Sequence, residues 1–395
     1  MRTGGQTKES AVAHEYLDAA ATAPLRAEAR AAMLAVFDAG AANPSSVHAP
    51  GNRAKRSLEE SRFRIAAAFN ARPADLVLTS GGTEANNLAI IGLALATPRG
   101  RHLVTTPIEH PSVLESCRYL ERVFGFELTL LPVNFDGRVD PADAAAALRP
   151  DTTLISVGLA NAEVGTVQPL PEIAAHAASL GVLVHTDAVQ AASSLPLSFA
   201  GESWPGPDIH AMTVASHKFG GPQGMGALFV RRHLPLEAIL HGGGQEGGAR
   251  SGTENVAGAA GFAAAVSATC TGVGTRALEL IRSRDALIDR VLAEVPGSRL
   301  TGHRSERLPG HASFVVAGVS GESLLIALDA TGIAVSSGSA CAAGMDGPSP
   351  ALLAMGVDPA LAQTAIRFTF AEALSEEAVE RIVRALRSEV QAARR

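Results

Sequence analysis

Lysine is nearly missing from this chain of 395 residues: among 33 basic residues only Lys8, Lys55 and Lys218 are lysines, and the rest are arginine. Chemistry that needs a deprotonatable amine cannot use arginine, so it has three candidates here. Lys8 and Lys55 lie in polar, charged stretches that read as solvated, whereas Lys218 follows an apolar run and precedes a glycine cluster. Cysteine is scarce too. Cys117, Cys270 and Cys341 are too few and too scattered for a disulfide framework or a CxxC metal site, which fits a reducing compartment, so the expectation is a cytoplasmic protein without a metal. No run of Lys or Arg exists and the net charge is −6, which leaves no electrostatic footprint for nucleic acid or an anionic membrane. The opening MRTGGQTKESAVAHEYLD lacks the apolar run of a signal peptide, and no stretch of about 18 apolar residues is free of charge, proline or polar breaks.

What is present is a 47% apolar composition and enough length for two packed domains. Short β-rich runs alternate with segments of helical period between residues 58 and 231. The candidate strands are 76–79, 102–106, 128–133, 153–159, 182–187, 211–216 and 227–232. That alternation predicts an α/β fold with a mostly parallel sheet of seven strands covered by helices, holding ligands beyond the carboxyl ends of its strands. After the Gly-rich stretch 241–255 a long Ala-rich helical region runs to about residue 294, followed by a strand, a helix, a Gly/Ser-rich loop, a short strand and a terminal helix. The expected division is a large domain over 16–258 and a smaller α+β domain over 259–395, with the arm 1–15 packed near it or disordered.

Three segments carry chemistry. In LVLTSGGTEANNLAII (76–91) a strand ends, Gly81 and Gly82 allow close backbone approach, and Thr83 and Glu84 open a helix whose free N–H groups suit a phosphate. An ordinary strand–turn–helix, with Thr83 as cap and Asn86 or Asn87 solvated, is the plainer alternative. Asp187 ends the run VLVHTD, and Gln190 follows about one turn later. Ser216-His217-Lys218 supplies an amine able to form a Schiff base. A phosphate turn, an acid able to keep a pyridine nitrogen protonated and a lone lysine together describe pyridoxal phosphate. Other polar groups read as structural: Cys117 and Cys270 as buried thiols, His233 and His241 as surface residues flanking an apolar helix, SWPGPD (203–208) as a surface turn, and Glu376, Glu377 and Glu380 as favourable to a helix dipole.

The segments YLDAAATAPL (16–25), NPSSVHAPG (43–51), TSGGTEANNLAI (79–90), EHPSVL (109–114), ANAEVGTVQPL (160–170), HTDAVQ (185–190), SHKFGGPQGMGALFVRR (216–232), GGGQEGGARSGTEN (242–255) and SSGSAC (336–341) occur in the order found in one family. Together they resemble group I cysteine desulfurases of the class V aminotransferase family, which have the type I fold of pyridoxal phosphate enzymes.

The resemblance implies that Lys218 carries the cofactor, Asp187 pairs its ring nitrogen, Gln190 serves its phenolic oxygen, and His110 stacks on the ring and assists proton transfer. Gly82, Thr83, Ser216 and His217 would hold the phosphate. In a homodimer Thr253, with Arg250, would complete that site across the interface. Arg367 would clamp the substrate carboxylate, with Asn161 beside it, and Cys341 in its Gly/Ser/Ala-rich loop would be the nucleophile. The implied reaction converts L-cysteine to L-alanine, leaves a persulfide on Cys341 and passes sulfur to an acceptor protein, as in iron–sulfur cluster assembly. The chain departs from the family at Ala162 and Ala215, which stand where an asparagine and a serine are expected, and at Ala19 and Ala23. A selenocysteine lyase, or a catalytically weakened scaffold that binds sulfur acceptors, are the alternatives.

Overall fold

The computed structural model describes residues 15–40, 42–96, 99–199, 201, 204–337 and 347–394, so Cys341 and the arm 1–14 lie outside the described residues. In chain order the strands are β1 (Glu15–Tyr16), β2 (Leu76–Thr79), β3 (His102–Thr105), β4 (Glu127–Leu130), β5 (Thr152–Ser156), β6 (Leu183–Asp187), β7 (Ala211–Ala215), β8 (Gly226–Val230), β9 (Ser298–Leu300), β10 (His311–Val316), β11 (Ile333–Ala334) and β12 (Ala365–Thr369). The helices are α1 (Ala27–Asp38), α2 (Ala49–Ala68), α3 (Gly82–Ala96), α4 (Pro111–Phe124), α5 (Pro141–Ala147), α6 (Leu170–Ser179), α7 (Val256–Cys270), α8 (Val273–Glu294), α9 (Gly321–Ala330), α10 (Pro350–Ala354), α11 (Pro359–Ala362) and α12 (Glu376–Ala393).

Seven strands form one sheet in the order β2-β8-β7-β6-β5-β3-β4, parallel throughout except for β8. Every residue of β2, β3, β5, β7 and β8 is buried, as expected of strands covered on both faces, while the edge strand β4 is partly exposed. Helix α3 is apolar nearly all round and is buried against the sheet. A three-stranded antiparallel sheet, β12-β10-β9, and the parallel pair β1-β11 build a second core with α8, α9 and α12. The apolar stripe Val379, Ile382, Val383, Leu386 and Val390 seats α12 there.

Two expectations about helices are corrected. The long Ala-rich region is two helices, α7 and α8, meeting at 68° because Thr271 is extended and Gly272 takes φ +67°. Buried residues of α7 pack in the first core and those of α8 in the second. The segment between His233 and His241 is not helical. It crosses α3 at Gly92, where the Glu237 N–H donates to the Gly92 carbonyl at 3.1 Å and a Cβ on Gly92 would meet the Glu237 oxygen at 2.7 Å. Among the described residues no single helix is long and apolar enough to cross a membrane.

The parallel strands and β2 end at one edge of the sheet, and the chain segments that follow them meet there. One contact fixes how closely. Gly226 begins β8 between Thr79 and Ala215, and a Cβ on it would lie 2.5 Å from the carbonyl carbon of Gly81. Gly226→Ala therefore pushes the glycine turn off the sheet and loses about 1–3 kcal/mol of stability, the usual range for overpacking, as read by urea unfolding.

Candidate active site

The ends of β6 and β7 and the starts of α3 and α4 supply the site. Asp187 is the last residue of β6; its Oδ1 accepts from the Val189 N–H at 2.9 Å and its Oδ2 from Asn86 Nδ2 at 2.7 Å. Lys218 ends a 3₁₀ turn, Ser216–Lys218, directly after β7. Its Nζ donates to the carbonyls of Ala20 and, at 2.9 Å, Ala21. Gln190 Nε2 donates to the same Ala20 carbonyl at 3.1 Å, so the lysine and the glutamine converge on one atom. His110 caps α4, its Nδ1 accepting from the Ser112 N–H at 3.1 Å and lying 2.7 Å from Ser112 Oγ.

The turn preceding α3 has the form the sequence predicts. Thr83 is the second helical residue rather than the cap, and it is exposed. Glu84 reaches back to the Ser80 N–H at 2.8 Å and accepts from Arg250 Nε at 2.8 Å, which places Arg250 against the first turn of the same chain's α3. Thr253 is exposed nearby in sequence. Gly82 lies flush on β7: a Cβ there would sit 2.9 Å from Val189 Cγ2 and 3.5 Å from the Ala215 methyl. Ser216 is buried with its hydroxyl against Gly221. His217 Nδ1 is 3.3 Å from Thr22 Oγ1, and burial, helped by the Lys218 charge, takes its pKa down to about 4, so the ring is neutral near pH 7.

Arg367 lies on β12 and is fully buried. Its Nη2 pairs with Asp18 Oδ1 at 2.8 Å and its Nη1 donates to the Ala162 carbonyl at 3.0 Å. His311 Nε2 lies 3.1 Å from that same carbonyl. Position 162 thus serves through its backbone, which alanine supplies as well as asparagine. Asn161 shapes the loop: its Nδ2 donates to the Ile108 carbonyl at 2.8 Å, and its Oδ1 accepts from the Glu163 and Val164 N–H groups at 2.8 and 2.9 Å.

Four further residues stand out here. Asn86, for which a solvated role was open, is buried. Ser112 joins it to His110. Asp18 sat unremarked inside YLDAAATAPL, although an acid between Leu17 and Ala19 in an apolar stretch is itself a signal. Glu109, next to His110, is partly buried and accepts from the Gly158 N–H at 2.9 Å and from Thr106 Oγ1 at 2.7 Å. Nothing in the dipeptide Glu-His signals that burial. Gly158 must lack a side chain, since a Cβ would come within 2.7 Å of Glu109 Oε2.

Burial dominates the titration of these inner groups. It raises the Glu109 carboxyl to about 7, with nearby Asp187 adding to the rise and the Gly158 and Thr106 donors opposing it. Burial likewise pushes the Cys117 thiol up to about 12 and the partly buried Cys270 thiol to about 11, leaving both as poor nucleophiles. Among the described residues no group of three His, Cys, Asp or Glu side chains is placed to hold a metal ion. His233 and His241 are both exposed.

The folded chain keeps the Glu109 proton up to about pH 7, whereas an ordinary glutamate releases it near 4.5. The native state therefore binds more protons than the unfolded state across that window, and stability falls as pH rises through it. Glu109→Gln cannot ionise. Its stability relative to the parent chain rises between about pH 5 and pH 8, by at most about 3 kcal/mol, in urea unfolding at stepped pH. A flat difference means that Glu109 is ionised throughout.

Known proteins resemble this chain over nearly its whole length. The aminotransferase class-V family model matches residues 15–382. A cysteine desulfurase IscS from Dictyoglomus turgidum is 41% identical over 381 residues, covering 94% of this chain and 95% of the relative. An IscS-like cysteine desulfurase from Mycobacterium tuberculosis is 42% identical over 387 residues, covering 96% and 97%. Among solved structures, a NifS-like protein superimposes with a TM-score of 0.88 at 30% identity, covering 96% of this chain and all of that one. SspA in complex with cysteine gives 0.79 at 30% identity, covering 91% of this chain and all of that one. With its seven-stranded sheet and the lysine and aspartate at one edge of it, the chain belongs to the class-V aminotransferase family, among the pyridoxal phosphate-dependent cysteine desulfurases.

Proposed function

We propose that this chain uses pyridoxal phosphate, carried on Lys218, to move the sulfur of L-cysteine onto Cys341, releasing L-alanine, and then hands that sulfur to an acceptor protein. The observation that carries this reading is the convergence of Lys218 and Gln190 on the Ala20 carbonyl, beside the hydrogen-bonded set Asp187, Asn86, Ser112 and His110. The residues fit the cofactor. Asp187 is a carboxylate aimed by two donors, Lys218 is the one lysine at the sheet edge among the described residues, and the start of α3 leaves space, since a Cβ on Gly81 would meet nothing within 4 Å.

When bound, the cofactor supplies an electron sink for the substrate's α- and β-carbons. Asp187 would hold a proton at the ring nitrogen, Gln190 would serve the phenolic oxygen, and His110 would lie against the ring. Thr83, with Gly82 at the helix start, and neutral His217 hold the phosphate as hydrogen-bond donors; Ser216 supports the turn from behind, its hydroxyl packed against Gly221. Lys218 would be the base that moves the substrate's α-proton. Arg367 binds the substrate carboxylate, which competes with Asp18 for the guanidinium. Asn161 takes part by fixing the loop that presents the Ala162 carbonyl to Arg367. Cys341, as a thiolate, attacks the substrate sulfur: the S–S bond forms as the Cβ–S bond breaks, the electron pair of that bond stays on Cβ, and protons taken up at Cβ and Cα complete alanine while the persulfide remains on Cys341.

A second copy of the chain completes the site. The exposure of Thr253, the exposed side chains of Phe37 and Phe63, and a groove of about 390 Å³ edged by Ile91, Leu95, Tyr119, Phe124 and Ile239 support a homodimer in which Thr253 of one subunit reaches the phosphate of the other.

The decisive assay is release of alanine and sulfide from cysteine in the presence of a reductant. Cys341→Ala keeps the yellow cofactor and its spectral response to cysteine but forms no persulfide; sulfide release at the parent rate in that variant removes Cys341 from the reaction. Arg367→Lys loses at least about tenfold in kcat/KM for cysteine, because one ammonium cannot replace a two-pronged guanidinium. Equal kcat/KM would show that Arg367 is not the clamp.

A further inference from the structure

Asn86 lies on the first turns of α3, is 1% exposed, and stands between two groups of the proposed site. One hydrogen of its Nδ2 goes to Asp187 Oδ2 at 2.7 Å and the other to Ser112 Oγ at 2.9 Å. Turning the amide over would press its oxygen against a carboxylate oxygen, so chemistry fixes which atom is which. The arrangement has a cost, since Asn86 Oδ1 is buried with no hydrogen-bond partner. Packing alone does not account for a polar side chain kept under that cost.

The direction of the next two bonds follows. A backbone N–H can only donate, so the Ser112 N–H at 3.1 Å favours His110 Nδ1 as an acceptor without by itself fixing the tautomer. Ser112 Oγ receives its hydrogen bond from Asn86 and is therefore set to donate its own proton to the same Nδ1, 2.7 Å away. A neutral imidazole whose Nδ1 accepts carries its proton on Nε2.

We propose that Asn86 is a positioning residue that ties Asp187 to His110 through Ser112, orienting the carboxylate and holding the imidazole in the tautomer protonated at Nε2. This rests on the proposed function only in taking Asp187 and His110 to face the cofactor ring. Its consequence there is that one amide governs two groups: the partner of the ring nitrogen and the residue stacked on the ring. Ser112 acts on His110 alone.

The test uses the full chain with ¹⁵N-labelled histidine, with and without pyridoxal phosphate, and reads the tautomer from nitrogen shifts assigned by loss in His110→Gln. The parent chain is expected to show an acceptor-type Nδ1 and a protonated Nε2 at neutral pH. Ser112→Ala mixes the tautomers while cofactor affinity stays within about twofold, and Ser112→Thr, which keeps the hydroxyl, restores the parental shifts. Asn86→Ala mixes the tautomers and also weakens cofactor binding about tenfold, the scale of one lost hydrogen bond to a charged group. A protonated Nδ1 in the parent chain overturns the proposal, as does an Asn86→Ala variant with parental tautomer and affinity. If Asn86→Ala does not fold, the Ser112 pair decides, because unchanged shifts in Ser112→Ala exclude the relay. A chain that takes up no pyridoxal phosphate defeats the proposed function, while the tautomer measured without cofactor still decides the relay.

Discussion

The ion pair between Asp18 and Arg367 holds the two cores of this protein against each other across the site. Arg367 is fully buried on the smaller sheet, and Asp18 belongs to a strap, residues 15–26, that touches both cores. The strap begins as β1 paired with β11, then passes Thr369, whose carbonyl and hydroxyl accept from the Ala19 and Ala20 N–H groups. It goes on to Lys218 and Gln190 through the Ala20 carbonyl, and to His217 and Gly220 through the Ala23 and Arg26 N–H groups. A buried guanidinium left without its carboxylate costs about 3–5 kcal/mol, so the pair fixes where the strap lies. That position in turn sets where the lysine amine is held.

The same guanidinium reaches the large core a second way, through the Ala162 carbonyl, which is also within reach of His311. Backbone atoms therefore do much of the work that a family motif would assign to side chains. This explains how the chain can carry alanine at 162, and at 19 and 23 in the strap, without losing the contacts that align its parts. Glu109 shows the complementary case, a partly buried side chain whose proton is kept by the cost of desolvating its charge.

All seven strands of the large sheet were legible in the sequence: the strands buried on both faces read as continuous apolar runs, and β4, partly exposed at the sheet edge, keeps enough apolar character to read as one. Their ends drifted by one to three residues where apolar character outlasts pairing, as at Leu131–Val133 beyond β4. The lysine was legible because the composition makes it rare, and the aspartate and the glycine turn because each follows directly on an apolar run. Contacts between distant segments were not. Asn86 looked like any helix-surface amide until Asp187, about a hundred residues later, arrived beside it. The segment 233–241 has the apolar content of a helix but gives its N–H to Gly92, a choice made by the surface it crosses.

The chain's route has a further effect. It starts in the smaller core with β1, builds the whole large sheet, and returns through the elbow at Thr271 and Gly272 to finish the smaller core. The large core is thus a loop whose two ends are pinned inside the other core. While the smaller core stands, those ends have already paid the entropy of closure; once it melts, the loop is released and β1 loses its partner strand. The two cores are two in packing but one in cooperativity, and neither can open alone without loosening the other.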